Sequence, residues 1–153
     1  MNAFVLRIAP GDNDRVPEAL AQGDLMIGWS LASGLLDPEL DNWDFREIVH
    51  QAHYKDEASY RRSGSAAGSL HRFIHGMKLG DLIVTPHGNK FYIGQVEGPA
   101  RYELDKVIDD TAYRRQVLWL NDGKPFPRKV ARAALQSRMK LWHTCGDASD
   151  LTD

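Results

Sequence analysis

Histidine pairs are the first residues of this sequence whose types and spacing could do chemistry. His50 and His53 are three residues apart, and His71 and His75 are four apart. An i, i+4 pair on one helical face can hold a metal ion through two imidazoles. However, no glutamate stands between His71 and His75 as in a metallohydrolase motif, and no third ligand is evident. We therefore expect no metal site, and histidines that are solvated or bonded to the backbone.

Nucleophilic and phosphate-binding motifs are missing as well. The sequence has no Gly-x-Ser-x-Gly elbow, no Walker loop and no Gly-x-Gly-x-x-Gly. The lone cysteine, Cys145, excludes a disulfide framework, and only His143 stands near it in sequence to activate a thiolate. We predict that this segment is not an enzyme and that it uses no cofactor.

Two aromatic residues stand where a flat ligand could stack. Trp29 follows Gly28 near the end of the apolar segment LMIGWS, and pockets open at strand ends. Tyr60 precedes Arg61 and Arg62 in a polar stretch, which suits contact with a base and a phosphate. Core packing is the alternative for Trp29, and an ordinary surface position is the alternative for Tyr60.

The other three tryptophans have more ordinary settings. Trp119 and Trp142 lie inside the apolar segments VLWL and KLWH, where core packing is the default interpretation. Trp43 begins a predicted helix, so it is either a core anchor or a lid.

Charge is distributed unevenly along the chain, although the formal net charge is only −2. Residues 1–60 contain 11 acidic and 4 basic residues, a net of −7, whereas residues 61–153 contain 10 acidic and 15 basic residues, a net of +5. Six basic residues and no acidic one lie between Lys124 and Lys140. Such a chain can present a basic face to nucleic acid. The alternative is that the charges only solubilise opposite sides of a domain.

Short apolar and amphipathic segments must position these residues. Alternating or apolar runs bounded by turn residues predict strands, and 3.6-residue periodicity with caps predicts helices. The predicted strands are residues 4–11, 25–30, 79–86, 89–98, 114–121 and 138–144, and the predicted helices are residues 15–24, 43–54, 66–78 and 125–136. The strands at 79–86 and 89–98 are predicted to pair as a hairpin across the turn residues 87–89. Gly23 suits the C-cap of the first helix, and Asp41 or Asn42 is a possible cap of the second.

The helix predicted at residues 66–78 has the clearest periodicity. Leu70, Phe73, Ile74 and Met77 form an apolar stripe on one face. Ser65 is its predicted N-cap, and the polar stretch 55–68 before it has no clear period, which predicts a mobile loop.

The whole chain is predicted to form one α+β domain over residues 1–145, with residues 146–153 as a frayed tail or the start of a linker to an effector domain. Five or six short, mostly antiparallel strands curl into a barrel-like sheet, and helices pack around it. No apolar run is long enough to span a membrane and no secretion signal is evident, so we expect a cytoplasmic protein.

Four motifs occur in a familiar order along the chain. Ile27-Gly28-Trp29 precedes the Leu70 to Met77 stripe, and Gly80-Asp81-Leu82-Ile83-Val84-Thr85 and Ile93-Gly94-Gln95-Val96 follow it. This order resembles the PUA-like superfamily, and within it the EVE-like and YTH-like reader domains. It is most similar to the specificity domains of modification-dependent restriction endonucleases. The resemblance covers about Phe4 to Trp142.

The resemblance implies a curved β-barrel-like sheet with an aromatic pocket, which accepts a modified base flipped from DNA or presented in RNA. Trp29 would form a wall of this pocket, and the stretch from Ser63 to Ser69 would add small side chains at a helix N-terminus. The predicted base pocket consists of Trp29, Ser30, Tyr60, Ser65, Ala66 and Ser69.

Basic side chains are expected to hold the nucleic-acid backbone, because phosphate contacts position a protein without reading sequence. The predicted backbone-binding residues are Arg61, Arg62, Arg72, Lys124, Arg128, Lys129 and Arg132.

The sequence departs from the resembled family in two ways. EVE-like domains often have Arg-Asn at the start of the helix where this chain has SGSAAG, so a polar pair that would grip a base edge is missing. No nuclease motif is present either, so a nuclease effector would be a separate domain or subunit. The leading prediction is a non-catalytic reader of a modified base in DNA, within a defence or restriction system. The alternatives are an RNA-binding module and a nucleotide or small-molecule sensor.

Overall fold

Residues 1–140 and 143–151 are described by the computed structural model of the chain. Within them, eight strands form a curled sheet and four α-helices pack against it. The strands are β1 (Ala3–Leu6), β2 (Asp24–Ile27), β3 (Leu82–His87), β4 (Lys90–Val96), β5 (Arg101–Tyr102), β6 (Tyr113–Trp119), β7 (Phe126–Pro127) and β8 (Cys145–Asp147). The helices are α1 (Val16–Gln22), α2 (Asn42–His53), α3 (Arg61–His71) and α4 (Ala133–Met139).

The sheet has the strand order β2-β6-β4-β3-β1-β8, with β5 paired to β6 and β7 paired to β4. Only β1 and β3 pair in parallel among the described strands. The α+β class and the curled, mostly antiparallel sheet are confirmed. The strand number differs from the predicted five or six because β5, β7 and β8 have only two or three residues. Such short strands show no measurable alternation.

Local sequence rules account for the first two helices. Pro17 lies in the first turn of α1, and Gly23 ends that helix in the left-handed conformation with φ of 67°. Asp41 caps α2 by accepting a hydrogen bond from the Asp44 backbone, and the Asp44 side chain returns one to Asp41. The hairpin of β3 and β4 across Gly88 and Asn89 is confirmed as well.

Helix α3 begins at Arg61, so the predicted loop at residues 55–68 is wrong from residue 61 onward, and the Ser65 cap is wrong. Its buried residues at this end are small, namely Ser63, Ala66 and Ala67, and α2 packs closely against them. Small residues leave no apolar stripe in the sequence, which hid the helix. The chain continues from α3 through a π-helical turn at Arg72–Gly76, and the Leu70 to Met77 stripe is buried as predicted.

The C-terminal segment also differs from the prediction. Residues 145–147, expected to begin a frayed tail, form β8 and pair antiparallel with β1. Burial of the Cys145 side chain raises the pKa of its thiol to about 12, so it is an inert core residue. The strand predicted at 138–144 begins inside α4, and Trp142 lies outside the described residues. The helix predicted from residue 125 begins at Ala133, after β7 and the 3₁₀ turn Arg128–Val130.

Two arginines of β6 lie inside the protein. Arg114 is 1% exposed and pairs with Glu18 at 2.8 Å, while donating a further bond to Gln22. Arg115 donates to the backbone carbonyls of Gly98, Phe73 and Met77 at 2.9–3.1 Å. The basic excess of residues 61–153 therefore overstates the positive surface, since these two charges cannot reach a nucleic acid.

No helix in the described part of the chain is both long and apolar enough to cross a membrane.

Candidate functional site

A cleft of about 480 Å³ opens where several loops meet at one end of the sheet. The loop after β1, the end of β2, the end of α2 and the first turn of α3 all reach it. Such a volume is in the range of small-ligand sites. The residues that line the cleft are Arg7, Ala9, Pro10, Gly11, Asp12, Gly28, Trp29, His53, Tyr54, Arg62, Asp110 and Thr144.

Trp29 stands on this cleft in an unusual backbone conformation. Strand β2 ends at Ile27, and a side chain on Gly28 would place its Cβ 2.9 Å from Asp110 Oδ2 and 3.2 Å from Pro10 Cβ. Only glycine fits so close an approach. The chain then turns at Trp29, whose φ of 62° lies in the left-handed region that bulky side chains avoid. After this turn the half-buried indole lines the cleft and also packs against the hydrophobic core.

Hydrogen bonds from three sides hold the turn. Asp110 Oδ1 accepts from the Ser30 backbone at 2.8 Å, and the Tyr102 hydroxyl donates to the Ser30 carbonyl at 2.8 Å. The Ser30 hydroxyl accepts from the Ala112 backbone at 3.0 Å. Ser30 is fully buried, so it anchors the Trp29 turn instead of facing a ligand.

Tyr54 and Arg62 complete the wall beside Trp29. The indole Nε1 of Trp29 donates to the Tyr54 hydroxyl at 2.9 Å, which fixes the orientation of the indole. The guanidinium of Arg62 lies 4.6 Å from the centre of the Tyr54 ring and pairs with Glu57 at 2.9 Å. The wall thus presents aromatic surface with a cation at its rim.

His53 brings an unsatisfied polar group to the same cleft. Its Nε2 is buried and has no hydrogen-bond partner within residues 1–140 and 143–151. A buried polar atom without a partner is unfavourable by about 1–3 kcal/mol. A ligand that supplies the missing partner would regain part of this free energy.

Positive charge borders the cleft on the side of Arg7. Burial lowers the pKa of the Arg7 guanidinium from its ordinary value, and the like charge of Arg128 lowers it further. Arg128 therefore lies near Arg7; it is half-buried and belongs to the C-terminal basic stretch, but it does not line the cleft. Two neighbouring guanidinium groups favour an anion nearby.

The predicted base-pocket residues do not come together. Trp29 lines the cleft, whereas Ala66 and Ser69 are buried in α3, and Ser69 Oγ accepts from the Cys145 backbone at 3.1 Å. Ser65 is exposed on α3. Tyr60 stacks on His50 with ring centres 3.7 Å apart, and its pKa is raised by a hydrogen bond with Glu47 and then by burial.

The predicted backbone-binding residues divide between two surfaces. Arg61 and Arg62 begin α3, and Arg72 ends it with its Nε donating to the Cys145 carbonyl. The C-terminal members follow β6 and are exposed, apart from the half-buried Arg128; they are Lys124, Lys129 and Arg132.

Sequence reasoning missed Tyr54, His53, Arg7 and Asp110. His53 ends the amphipathic α2 and Tyr54 follows it, and aromatic residues at the end of a helix, where a loop begins, are a usable indication of a site. Asp110 has φ of 57°, and an aspartate in a turn before a strand is a weaker indication of that kind.

A member of each histidine pair bonds to another group of the protein. No group of three or more metal-binding side chains occurs among the residues that the structure describes. His50 Nδ1 lies 2.6 Å from Ser63 Oγ, and His75 Nε2 lies 3.0 Å from the Leu35 carbonyl. The pKa of His71 is lowered, first by burial and then by the adjacent His75.

The described residues thus form a small α+β domain with an aromatic cleft that arginines border. The chain belongs to the family described as Domain of unknown function (DUF8426), whose model matches residues 5–141. No curated protein and no solved structure matches the chain.

Proposed function

We propose that this domain is a non-catalytic reader of a modified base in nucleic acid, with the base stacking on Trp29 in the cleft. The observation that carries the proposal is the indole itself. It is turned out of the sheet by a left-handed residue and fixed by Tyr54 on the wall of an open cleft. Aromatic stacking contributes about 1–3 kcal/mol per base, which offsets much of the free energy of flipping a nucleotide.

Discrimination between a modified and a plain base needs more than stacking. A buried methyl group contributes only about 0.8 kcal/mol. His53 lines the cleft, and its buried Nε2 has no partner within the described residues, so a base edge that reached this atom after a local side-chain movement would gain a hydrogen bond. Arg7 and Arg62 on the rim suit the flanking phosphates, since both are cations next to an aromatic wall.

Modified DNA is the first target of this proposal and RNA is the second, in keeping with the PUA-like resemblance of the sequence. A defence or restriction role, with a nuclease effector supplied by another domain or subunit, is the setting that the same resemblance implies. The domain itself would supply recognition alone.

The test compares oligonucleotides that carry 5-methylcytosine or N6-methyladenine with unmodified ones, as DNA and as RNA, at one fixed salt concentration. The variant is Trp29→Gly, because glycine adopts the left-handed conformation without strain whereas alanine does not. We expect about a ten- to hundredfold loss of affinity for the modified target. Plain duplex should lose little, because its bases stay stacked.

Two control variants make the result specific. Leu31→Gly adds a glycine to the same loop at a residue that is 63% exposed, so it reports the effect of flexibility alone. Trp29→Phe retains an aromatic face and should keep most of the affinity. An equal loss for modified and plain targets, in a Trp29→Gly protein with a normal thermal midpoint, would contradict the proposal. Binding of free nucleosides without binding of any oligonucleotide would point to a small-molecule sensor instead.

A further inference from the structure

A second concave surface lies between the N-terminal half of α2 and the C-terminal half of α3. This α2–α3 groove has a volume of about 290 Å³ and is lined by residues that include Asn42, Trp43, Arg46, Gly64, Gly68 and Arg72. It belongs neither to the Trp29 cleft nor to the C-terminal basic stretch.

Trp43 is the most conspicuous group in the groove. It is 68% exposed, and the guanidinium of Arg46 lies 3.9 Å from the centre of its ring. The arginine covers one face, so the exposed surface leaves room for a ligand on the other. Trp43 packs into neither the core nor the Trp29 cleft. It is therefore neither the core anchor nor the lid that its position in the sequence suggested.

Gly64 and Gly68 of α3 leave a flat helix surface beside the side chains of Arg46 and Arg72. A Cβ on Gly64 would contact the Arg46 side chain at 3.7 Å, and a Cβ on Gly68 would lie 3.4 Å from an Arg72 guanidinium nitrogen. The Arg72 guanidinium and the aliphatic part of the Arg46 side chain therefore lie close to the helix surface. No carboxylate is among the residues that line the groove.

Nearby acidic residues are occupied elsewhere. Asp44 accepts from the Asp41 backbone at 3.0 Å as part of the helix cap. Glu47 accepts from Gln51 at 3.0 Å and interacts with Tyr60. The groove lining therefore contributes two guanidinium groups and one exposed aromatic ring, while the carboxylates of α2 keep their charge outside that lining.

A row of arginine–aromatic contacts connects the groove with the Trp29 cleft. Arg46 contacts Trp43 and also lies 5.3 Å from the ring centre of Tyr60, and Arg62 lies over Tyr54 at the cleft. From Trp43 to His53, α2 extends about 15 Å. A stacked strand rises 3.4 Å per nucleotide, so this distance corresponds to about four or five nucleotides.

We propose that the α2–α3 groove binds the single strand that flanks the base held in the cleft, with a base on Trp43 and phosphates on Arg46 and Arg72. This proposal rests on the proposed function, because the base held in the cleft determines which flanking part of the strand reaches the groove. The aromatic face suits any base, and the two cations without a carboxylate suit a phosphate backbone. The groove adds affinity and site size, while the cleft supplies recognition.

The test is a length series of single-stranded DNA with one methylated base, extended by single nucleotides in either direction. For the wild type, affinity should rise over about four or five added nucleotides and then level off. Trp43→Ala and Arg46→Gln should bind the shortest strand normally and lose about tenfold on the long ones. Lys106→Gln removes one positive charge outside the groove and should follow the wild type.

A third variant guards against simple misfolding. Gly64→Leu puts a side chain into the groove and a better helix former into α3, and its Cβ would meet Arg46 at an ordinary 3.7 Å. A protein with this substitution and a normal thermal midpoint should show the same loss on long strands. If folded Trp43→Ala and Gly64→Leu proteins gain affinity with length as the wild type does, the proposal is overturned. A groove that serves a protein partner instead would give that result.

Failure of the cleft is a separate outcome. It would appear as absent binding of the shortest methylated strand, or as no effect of Trp29→Gly. In that case the groove is tested on long unmodified strands, which the wild type should still bind about tenfold more tightly than Trp43→Ala does. If the wild type binds no single strand of any length, both proposals are overturned.

Discussion

Replacing Asp110 by glycine is expected to lower the free energy of unfolding by about 1.5 kcal/mol and to weaken binding in the Trp29 cleft. Asp110 Oδ1 accepts from the Ser30 backbone at 2.8 Å, and this bond holds the turn that presents Trp29. A hydrogen bond to a charged group contributes about 1.5–3 kcal/mol, and the lower value applies because Asp110 is only partly buried.

Two further substitutions separate the hydrogen bond from the backbone conformation at Asp110. Its φ of 57° is accessible to glycine and asparagine, but it costs alanine about 1 kcal/mol. Asp110→Asn keeps an acceptor oxygen and should stay near the wild type. Asp110→Ala should lose about 2.5 kcal/mol, since it loses the bond and gains the strain.

Urea unfolding and thermal midpoints measure the series. For a chain of this size, 1.5 kcal/mol corresponds to a fall of about 3–6 °C in the midpoint. Binding of a methylated oligonucleotide, measured well below the midpoint, should weaken in the order Asn, Gly, Ala. A glycine variant as stable as the wild type would refute the idea that Asp110 holds the turn. Lower stability with unchanged binding would show that the turn does not position Trp29.

Two other predictions concern charges inside the fold. Arg115→Met should destabilise the protein by about 3 kcal/mol in urea unfolding, because the Gly98 and Met77 carbonyls lose their buried donor; a wild-type midpoint would contradict this. Hydrogen bonding to Arg114 lowers the pKa of Glu18 below its ordinary 4.5. The stabilisation that ionised Glu18 contributes is therefore complete above pH 4.5 and is lost as the pH falls through its lower pKa in the folded protein. Glu18→Gln should consequently lose less stability on acidification than the wild type. If the free energy of unfolding falls equally in the two proteins as the pH is lowered, Glu18 makes no such contribution.

The sequence predicted elements well where periodicity and caps agreed. Asp41 at the start of α2, Gly23 at the end of α1 and the β3–β4 hairpin each combine a turn residue with a regular apolar pattern. The local rule and the tertiary fold favour the same structure at these places, which makes such predictions dependable.

The first half of α3 could not be predicted in this way. Its packing against α2 depends on Ser63, Ala66 and Ala67, and small residues give a helix almost no apolar moment. Strand β8 was missed for a different reason. Its three residues gain strand conformation only from pairing with β1, more than a hundred residues away in sequence. Neither contact leaves a local pattern.

In the cleft, too, the sequence predicted only those features that depend on neighbouring residues. Gly28 before Trp29 indicated a break in the strand, and that break turns the indole outward. The other walls come from distant parts of the chain, with Arg7 after β1, Tyr54 after α2 and Asp110 before β6. The resemblance pointed to residues 63–69 of α3 for pocket residues, but Ala66 and Ser69 are buried, and Ser69 bonds to the Cys145 backbone of β8.

The backbone of Trp29 bears on how the cleft would read a base. A tryptophan that only fills a core has no need of the left-handed region, which is unfavourable by about 1–2 kcal/mol and persists here because Asp110 and Tyr102 hold the next residue. Strain retained in this way is typical of functional sites. The indole N–H is already bonded to Tyr54, so the ring offers a ligand its face and no donor. Trp29 can therefore stack on any base, and the choice among bases must come from other groups, of which the unpartnered Nε2 of His53 is the first to test.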